Sequence, residues 1–418
     1  MRSERGRRHK YTGCYRLGFN MNTLYYGDNL QVLRKSIQNE SVDLIYLDPP
    51  FNSQATYNVL FKAPTGEQSQ AQIEAFKDTW HWNLHTENAF NEAMQSGNTE
   101  VAEMLRAMRS FLKENDMMAY ITMMAIRLIE SHRVLKPTGS LYLHCGPTAS
   151  HYLKILLDAV FEARGFRTEI SWRRQSAHND AKQGRKQYGN VRDVIFFYTR
   201  SDDWTWNWLY TVYDESYIKD FYKFTEPGTG RRYRLSDLTG PGGAAKGNPS
   251  YEVMGVTRYW RYSKKKMQEL INQGRVIQTK PGGVPAYKRY LDEMPGVALQ
   301  NDWQDILPSS GGESLGYPTQ KPLALLERII QASTNEGDTV LDPFCGCGTA
   351  VHAAQKLQRE WIGIDITHLA ISLIEKRLKD AFPGMSFLVH GTPKRLGRSA
   401  GPCNEGQVSI SVVGSLAC

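Results

Sequence analysis

Apolar positions along this chain follow two periods, and their alternation predicts an α/β fold. Residues 24–26 read as a short strand ending at Gly27-Asp28, and a helix follows with Leu30, Leu33 and Ile37 at helical spacing. Val42–Leu47 is a buried-type strand that runs straight into Asp48-Pro49-Pro50-Phe51. The stretch 52–85 is polar and aromatic without a dominant period, which predicts a long loop or lid. A helix over about 115–134 gives way to a turn at Lys136-Pro137-Thr138-Gly139, and residues 140–144 form the next strand. A helix over 148–164 stops at Gly165, and 166–172 and 193–199 read as two strands joined by a basic loop.

From about residue 205 the rhythm breaks. Trp204, Trp206, Trp208, Tyr210 and Tyr213 crowd together, and turns rich in glycine or proline recur at 227–230, 240–243 and 281–285. This predicts an inserted module of short strands and loops over 205–312, with one basic helix near 263–273 and the aromatic cluster as its small core or, alternatively, as a surface that stacks bases. The α/β pattern then resumes with a helix over 321–333, a strand at Thr339–Asp342, a helix over 348–358 and a strand over 361–365. The expected organisation is a mobile basic tail (1–20), a first half of the main domain (21–204), the module (205–312), a second half (313–392) and an irregular tail (393–418).

Composition narrows the class. With 41% hydrophobic and 22% charged residues among 418, the chain is globular in character and not disordered. No apolar run of about 18 residues is present and the N-terminus lacks the apolar stretch of a signal peptide, so neither a membrane span nor secretion is expected. Six scattered cysteines do not make a disulfide framework, and a reducing cytoplasm is the expected location. The net charge of +8 is concentrated: residues 1–20 carry +5, 172–190 carry +4 and 205–310 carry +4. Clustered positive charge suits a polyanion such as DNA, although many basic runs are only solvated faces.

Two motifs carry chemistry. Val340-Leu341-Asp342-Pro343-Phe344-Cys345-Gly346-Cys347-Gly348-Thr349 sets a glycine-rich turn between a buried strand and a helix, where backbone can approach a ligand at the strand's carboxyl end. Asp365, at the end of the next strand, is placed to accept hydrogen bonds from ribose hydroxyls. No Gly-Lys-Ser/Thr follows, which excludes a Walker-type phosphate loop, and Cys345 and Cys347 lack a second pair at ligand spacing, so no metal is expected. Asp48-Pro49-Pro50-Phe51 is the second motif. Two prolines remove backbone donors and leave fixed carbonyls. A carboxylate beside such a carbonyl is a pair of acceptors suited to an –NH2 group, and Phe51 offers a face on which an extruded base can stack. Alone, Asp-Pro-Pro is often a mere strand-ending turn; beside the glycine motif on one sheet it points to catalysis.

With these motifs in this order the chain resembles the beta-class, circularly permuted DNA amino-methyltransferases over residues 21–392. The resemblance implies a Rossmann-like sheet that binds S-adenosylmethionine (AdoMet), permuted in chain order, with an inserted target-recognition module. It assigns Asp48, Pro49, Pro50 and Phe51 to catalysis. It assigns Asp342, Phe344, Gly346, Gly348 and Thr349 to the cofactor, with Asp365 at the ribose and Asp28 near the adenine ring. Thr319 and Lys321, within Tyr317-Pro318-Thr319-Gln320-Lys321-Pro322, belong to the segment that closes over the methionine end. Aspartate at the first tetrapeptide position implies adenine N6 as the target, with cytosine N4 as the nearest alternative. Family relatives mostly have small residues where this chain has Cys345 and Cys347; cysteine is also small.

The partner expected is double-stranded DNA, and the family setting allows a homodimer and a cognate restriction endonuclease. Candidate DNA contacts are Arg173 and Arg174 in the basic loop, with Arg231, Arg232, Arg234, Arg258, Arg261, Lys264, Lys265 and Lys266 in the module. Two other classes compete. Protein or RNA methyltransferases generally carry Asn-Pro-Pro and place the cofactor motif first; a catalytically silent DNA-binding relative would not need Asp48 and the glycines intact.

Overall fold

The computed structural model describes residues 22–50, 56–59, 73–77, 80–175, 186, 188–309, 311–317, 319–391 and 408–412. The chain divides into two compact units, Met1–Asn207 with Asn301–Cys418, and Trp208–Gln300.

Among the described residues, the first unit is organised on a ten-stranded sheet. In chain order its strands are β1 (Thr23–Tyr26), β2 (Val42–Leu47), β3 (Leu135–Cys145), β4 (Phe166–Arg173), β5 (Arg192–Thr199), β6 (Asp302–Trp303), β7 (Thr339–Asp342), β8 (Glu360–Asp365), β9 (Ser386–His390) and β10 (Val408–Val412). Their order across the sheet is β6-β4-β5-β3-β2-β7-β8-β1-β9-β10. The run from β3 to β9 is parallel throughout. Strand β5 lies antiparallel between β3 and β4, and β10 is antiparallel beside β9. This is a Rossmann-like α/β sheet with a permuted chain order: β7, which bears the glycine turn, sits centrally yet comes late in sequence.

The central strands are apolar without alternation because both faces are covered; all six residues of β2 are buried. Helix α4 (Asp116–Val134) is buried over most of its circumference and packs against α1 (Asn29–Ser36), α2 (Leu84–Gln95), α3 (Thr99–Leu112) and α5 (Pro147–Phe161). Asn83, Asn98 and Asn115 start α2, α3 and α4, each side chain accepting the backbone N–H three residues on. Helices α6 (Leu323–Ser333), α7 (Thr349–Lys356) and α8 (His368–Ala381) follow.

Several sequence expectations change. Helices α2 and α3 bury only narrow stripes (Ala89, Phe90 and Ala93; Val101, Ala102 and Leu105), so their apolar period is faint although their caps are legible. The stretch expected as a loop over 52–85 contains a hairpin, Thr56–Val59 against Ile73–Lys77. The turn expected at 136–139 is absorbed into β3 as an irregularity: Val42 faces Leu135 but Leu44 faces Ser140. The tail expected to be irregular contributes β10, whose Val408, Ile410 and Val412 alternate with serines at the two-residue period of a strand. The expected tail 1–20 lies outside the described residues.

The second unit falls within the 205–312 segment. It has a four-stranded sheet in the order Val276–Ile277, Ala286–Tyr290, Arg232–Asp237, Phe224–Thr225, and a hairpin of Ser250–Val253 with Val256–Tyr259. Ser263 caps the basic helix Lys264–Asn272, and a second helix, Glu215–Phe221, is added to the expected one. One core cluster is Leu238, Val253, Trp260, Met267, Leu270 and Val276, and of the aromatic cluster Tyr213 packs in this unit on Tyr217 and the buried Tyr222. Trp206 instead stacks on Phe197 of β5 and Trp204 lies under the Arg167 guanidinium, both within the first unit, and Trp208 is 67% exposed.

Candidate active site

Four adjacent parallel strands, β2, β7, β8 and β1, bring their carboxyl ends to one edge of the sheet: Tyr26 lies beside Asp365 and Asp342 beside Gly363. A cavity of about 330 Å³ opens there, a size typical of small-molecule sites. Its lining includes Asp28, Asn29, Tyr46, Asp48, Pro49, Pro50, Trp80, Arg127, Tyr317, Thr319, Lys321, Asp342, Phe344, Gly346, Thr349 and Asp365. Residues from both sequence motifs thus share one space.

The glycine turn is tied down by its own backbone. Phe344 N–H donates to Asp342 Oδ1 (3.1 Å), Gly346 N–H to Asp365 Oδ2 (2.9 Å), and Gly348 N–H to the Cys345 carbonyl (2.7 Å). Gly346 and Gly348 both hold left-handed backbone, with φ of 50° and 75°. A Cβ on Gly346 would stand 3.3 Å from the Tyr317 ring, and one on Gly348 only 2.6 Å from Ile374 Cγ1. Gly348 does not itself line the cavity; it lets α7 start close against α8, leaving Thr349 and Ala350 on the cavity wall.

Burial dominates the electrostatics. Asp342 is 4% exposed, and burial raises its carboxyl well above the usual range, against the pull of the Phe344 N–H. Asp365 is also raised by burial, opposed by hydrogen bonds from Thr367 and Gly346. Its Oδ1 accepts from both Thr367 N–H and Oγ1 (2.7 Å each), so with Gly346 three of about four acceptor positions are used. Taking both hydroxyls of a ribose therefore requires the Thr367 hydroxyl to turn away. Cys345 and Cys347 are buried and their thiols are pushed up by burial, which makes them packing residues of the turn.

At the other motif, Lys321 Nζ donates to Asp48 Oδ2 at 2.5 Å, with the lysine side chain 8% exposed. Asp48 Oδ1 is buried with no hydrogen-bond partner among the described residues. Such an acceptor at a cavity wall is costly unless a donor arrives. The Lys321 segment is anchored by Gln320, whose Nε2 donates to the Glu313 carbonyl and whose Oε1 accepts from Leu315 N–H. Thr319, a β-branched residue, holds φ at 65°, a strained conformation at the rim. Phe51 and Pro318 lie outside the described residues.

Periodicity missed several of the lining residues, among them Asn29, Tyr46, Trp80 and Arg127. Arg127, 4% exposed, stands in the apolar helix α4 and donates to Asn29 Oδ1 (2.7 Å) and Asp28 Oδ2 (3.1 Å); Asn29 Nδ2 donates to the Pro343 carbonyl (2.9 Å). This clamp ties Asp28 to the glycine turn, with the guanidinium 5.4 Å from the Trp80 ring centre. A lone arginine among Met123, Met124, Ile126 and Leu128 was the available signal. Tyr46 and Trp80 offered none, since buried aromatics usually only pack.

The basic candidates are scattered in their engagements. Arg174 Nε stands 3.4 Å from Asp193 Oδ1. Arg231 forms a bidentate pair with Asp292 and donates a single hydrogen bond to Glu293, Arg232 donates to the Tyr222 and Ile218 carbonyls, and Arg234 donates to Tyr217 Oη. Arg258, Arg261, Lys264, Lys265 and Lys266 are exposed, with Arg261 donating to the Thr239 carbonyl and Lys266 paired to Glu269. Arg173 is half-buried at the end of β4.

The sequence model of the DNA methylase family matches residues 42–376, from the strand before Asp48 to within α8. The chain belongs to the DNA methylase family. Among curated relatives, the type II methyltransferase M.EcaI of Enterobacter cloacae is 28% identical over 363 residues, 85% of this chain and 69% of that protein. The type III restriction-modification enzyme StyLTI Mod subunit of Salmonella typhimurium is 26% identical over 355 residues, covering 81% of this chain but only 50% of the subunit, so the chain spans half its length. The DNA adenine methyltransferase YhdJ of Escherichia coli is 26% identical over 369 residues, 88% of this chain and 86% of that protein. A DNA methylase draws its methyl group from AdoMet, and the cavity suits that cofactor in size, in its glycine turn and in the carboxylates Asp28 and Asp365 on its wall.

Proposed function

We propose that this DNA methylase is site-specific and methylates the N6 amino group of adenine in double-stranded DNA. The observation that carries the reading is Asp48 Oδ1, buried and without a hydrogen-bond partner among the described residues, on a residue that lines the same cavity as the glycine turn. AdoMet, when bound, supplies an electrophilic methyl group. Asp48 accepts a hydrogen bond from the target amine and Lys321 holds the carboxylate in place through its other oxygen. The Pro49 carbonyl side of the motif offers a second acceptor, and Phe51 stacks the extruded base. Both hydrogen bonds favour pyramidal nitrogen, and that to Asp48 strengthens as positive charge develops there.

On the cofactor side, Asp342, Phe344, Gly346, Gly348 and Thr349 shape the turn against AdoMet. Asp365 takes the ribose, Asp28 lies at the adenine ring, and Thr319 and Lys321 lie at the methionine end. The module over 205–312 reads the target, using Arg232, Arg234, Arg258, Arg261, Lys264, Lys265 and Lys266, while Arg231 braces the module through Asp292 and Glu293, with Arg173 and Arg174 as phosphate contacts from the catalytic half. Adenine is preferred over cytosine because the tetrapeptide begins with aspartate and because YhdJ is named an adenine methyltransferase. The restriction-modification names among the relatives support a cognate endonuclease as partner. No helix among the described residues is long and apolar enough to cross a membrane, which suits work on DNA in the cytoplasm.

The test is transfer of tritiated methyl from AdoMet to DNA, followed by nucleoside analysis. Labelled N6-methyladenine is expected from the wild type and none from Asp48→Ala. Labelled N4-methylcytosine would keep the amine mechanism and overturn the choice of base.

A further inference from the structure

Three adjacent strands place a hydrogen-bonded chain of buried polar residues behind the cavity. Tyr46, on β2, precedes Asp48 by two positions, and both residues line the cavity. Tyr46 Oη lies 2.9 Å from His144 Nδ1 on β3. His144 Nε2 lies 3.2 Å from Asp193 Oδ2 on β5, and Arg174 Nε approaches the other Asp193 oxygen at 3.4 Å. Tyr46 and Asp193 are each 2% exposed and His144 is fully buried, with Trp172 edge-on to the imidazole at 5.6 Å.

The donor directions follow from chemistry. An ionised Asp193 can only accept, so a neutral His144 carries its proton on Nε2 and presents Nδ1 as an acceptor. Although burial opposes ionisation of Asp193, its carboxyl is lowered by the hydrogen bond from His144 and by the charges of Arg174 and Lys321. Burial, with the nearby charges of Asp48, Asp342 and Asp193, keeps the Tyr46 phenol protonated, and its proton points to Nδ1. The remaining Oη lone pairs are then free of a proton of their own. Tyrosine, histidine and aspartate thus repeat the nucleophile–base–orienter logic of a triad, with a phenol in the first place.

We propose that Tyr46 is a catalytic residue that accepts the proton lost by the methylated amine, and that His144 and Asp193 are positioning residues that make it an acceptor. The inference rests on the amine-methylation reading above. Once the target nitrogen has bonded to the transferred carbon, it carries one proton too many. That proton passes to Tyr46 Oη as the Tyr46 proton passes to His144 Nδ1. The products are a neutral secondary amine, a neutral phenol and an imidazolium paired with Asp193; when DNA leaves, the proton returns through Tyr46 to water in the cavity. Asp48 is the weaker acceptor because protonating it would break its ion pair with Lys321.

Two measurements test this. In the DNA-free protein, ¹⁵N NMR of imidazole-labelled chain should show His144 with Nε2 protonated and Nδ1 unprotonated; a proton resting on Nδ1 would overturn the relay. In methyl-transfer assays with AdoMet and DNA saturating, Tyr46→Phe should lower kcat on the order of 10²-fold, with AdoMet affinity by calorimetry and KM for DNA unchanged. Small imidazole buffers should partly restore the Tyr46→Phe rate, which they would not do for a merely structural hydroxyl. Asp193→Asn, which keeps shape but favours the wrong tautomer, should lower kcat and alter the pH profile while still binding AdoMet. Wild-type turnover and pH profile in both variants, with Asp48→Ala inactive, would remove the relay and leave the amine mechanism standing. Full activity in Asp48→Ala would remove both.

Discussion

The pair of Asp48 and Lys321 shows how one residue serves two purposes. One carboxylate oxygen is held by a lysine that is 8% exposed, and the other is buried with no partner among the described residues. Removing one member of such a pair strands the other charge. Asp48→Ala is therefore expected to reduce methyl transfer by at least ~10²–10³-fold. It should also lower stability by about 1–3 kcal/mol, less than for a fully buried pair, because Asp48 retains some exposure to solvent. Adding Lys321→Met should recover most of the stability and none of the activity. Denaturant titrations of the two single variants and the double variant measure this coupling; additive reductions in stability would show that the lysine does not depend on Asp48.

The turn between β7 and α7 illustrates the demands made at the scale of an element. Gly348 combines a φ of 75° with a Cβ position 2.6 Å from Ile374 Cγ1, so an alanine would be strained in backbone and in packing. Gly348→Ala should cost roughly 1–2 kcal/mol from the backbone alone and weaken AdoMet binding as α7 shifts. Trimming Ile374 to alanine in the same chain should restore part of both, read by thermal melting and calorimetry. Helix α7 also carries an acid-sensitive group. Burial, with the charges of Arg377 and Lys356, pushes His352 down to about 4, and its Nδ1 is buried with no hydrogen-bond partner among the described residues. The unfolded chain then binds the proton more readily, so stability is full above about pH 6.5 and declines as pH falls toward the folded value. His352→Phe, beside the Phe382 ring, should lessen that decline by on the order of 1 kcal/mol after screening for the ring's partial exposure. Melting curves at pH 7.5 and 4.5 that shift equally for both proteins would discount the histidine.

At the scale of the whole molecule, charge distribution predicts how DNA binding responds to salt. Lys264, Lys265 and Lys266 lie exposed at the start of a helix, while Arg231 is already committed to Asp292 and Glu293. Replacing the three lysines with glutamine should weaken binding across all DNA sequences. The log–log salt slope should flatten by about 0.9 for each phosphate that is no longer neutralised. Replacing Arg231 should instead destabilise the second unit with little change in slope. Fluorescence anisotropy over a range of salt concentrations separates the two outcomes, and an unchanged slope in the triple variant would remove that helix from the DNA-binding surface.

Much of this protein was legible without coordinates because its strongest signals are local. Continuous apolar runs ending in Asp48 and Asp342, and the glycine turn before Thr349, follow from adjacent residues, and parallel strands necessarily present their carboxyl ends together. Aspects set by distant neighbours were not legible. Faint amphipathic stripes hid α2 and α3, and the Val-Ser alternation of β10 acquires meaning only beside β9. The aromatic run near Trp206 looked like a core until Phe197 supplied the partner for one of its members. At the site, sequence alone determined the tetrapeptide, the glycine turn and the acid after it. Tertiary structure decided that Lys321 meets Asp48 across 273 positions, that Arg127 binds Asp28 across 99, and that Tyr46, His144 and Asp193 align on three strands. These pairings depend on strand order and register, and no periodicity along a single segment encodes which buried polar group will face another.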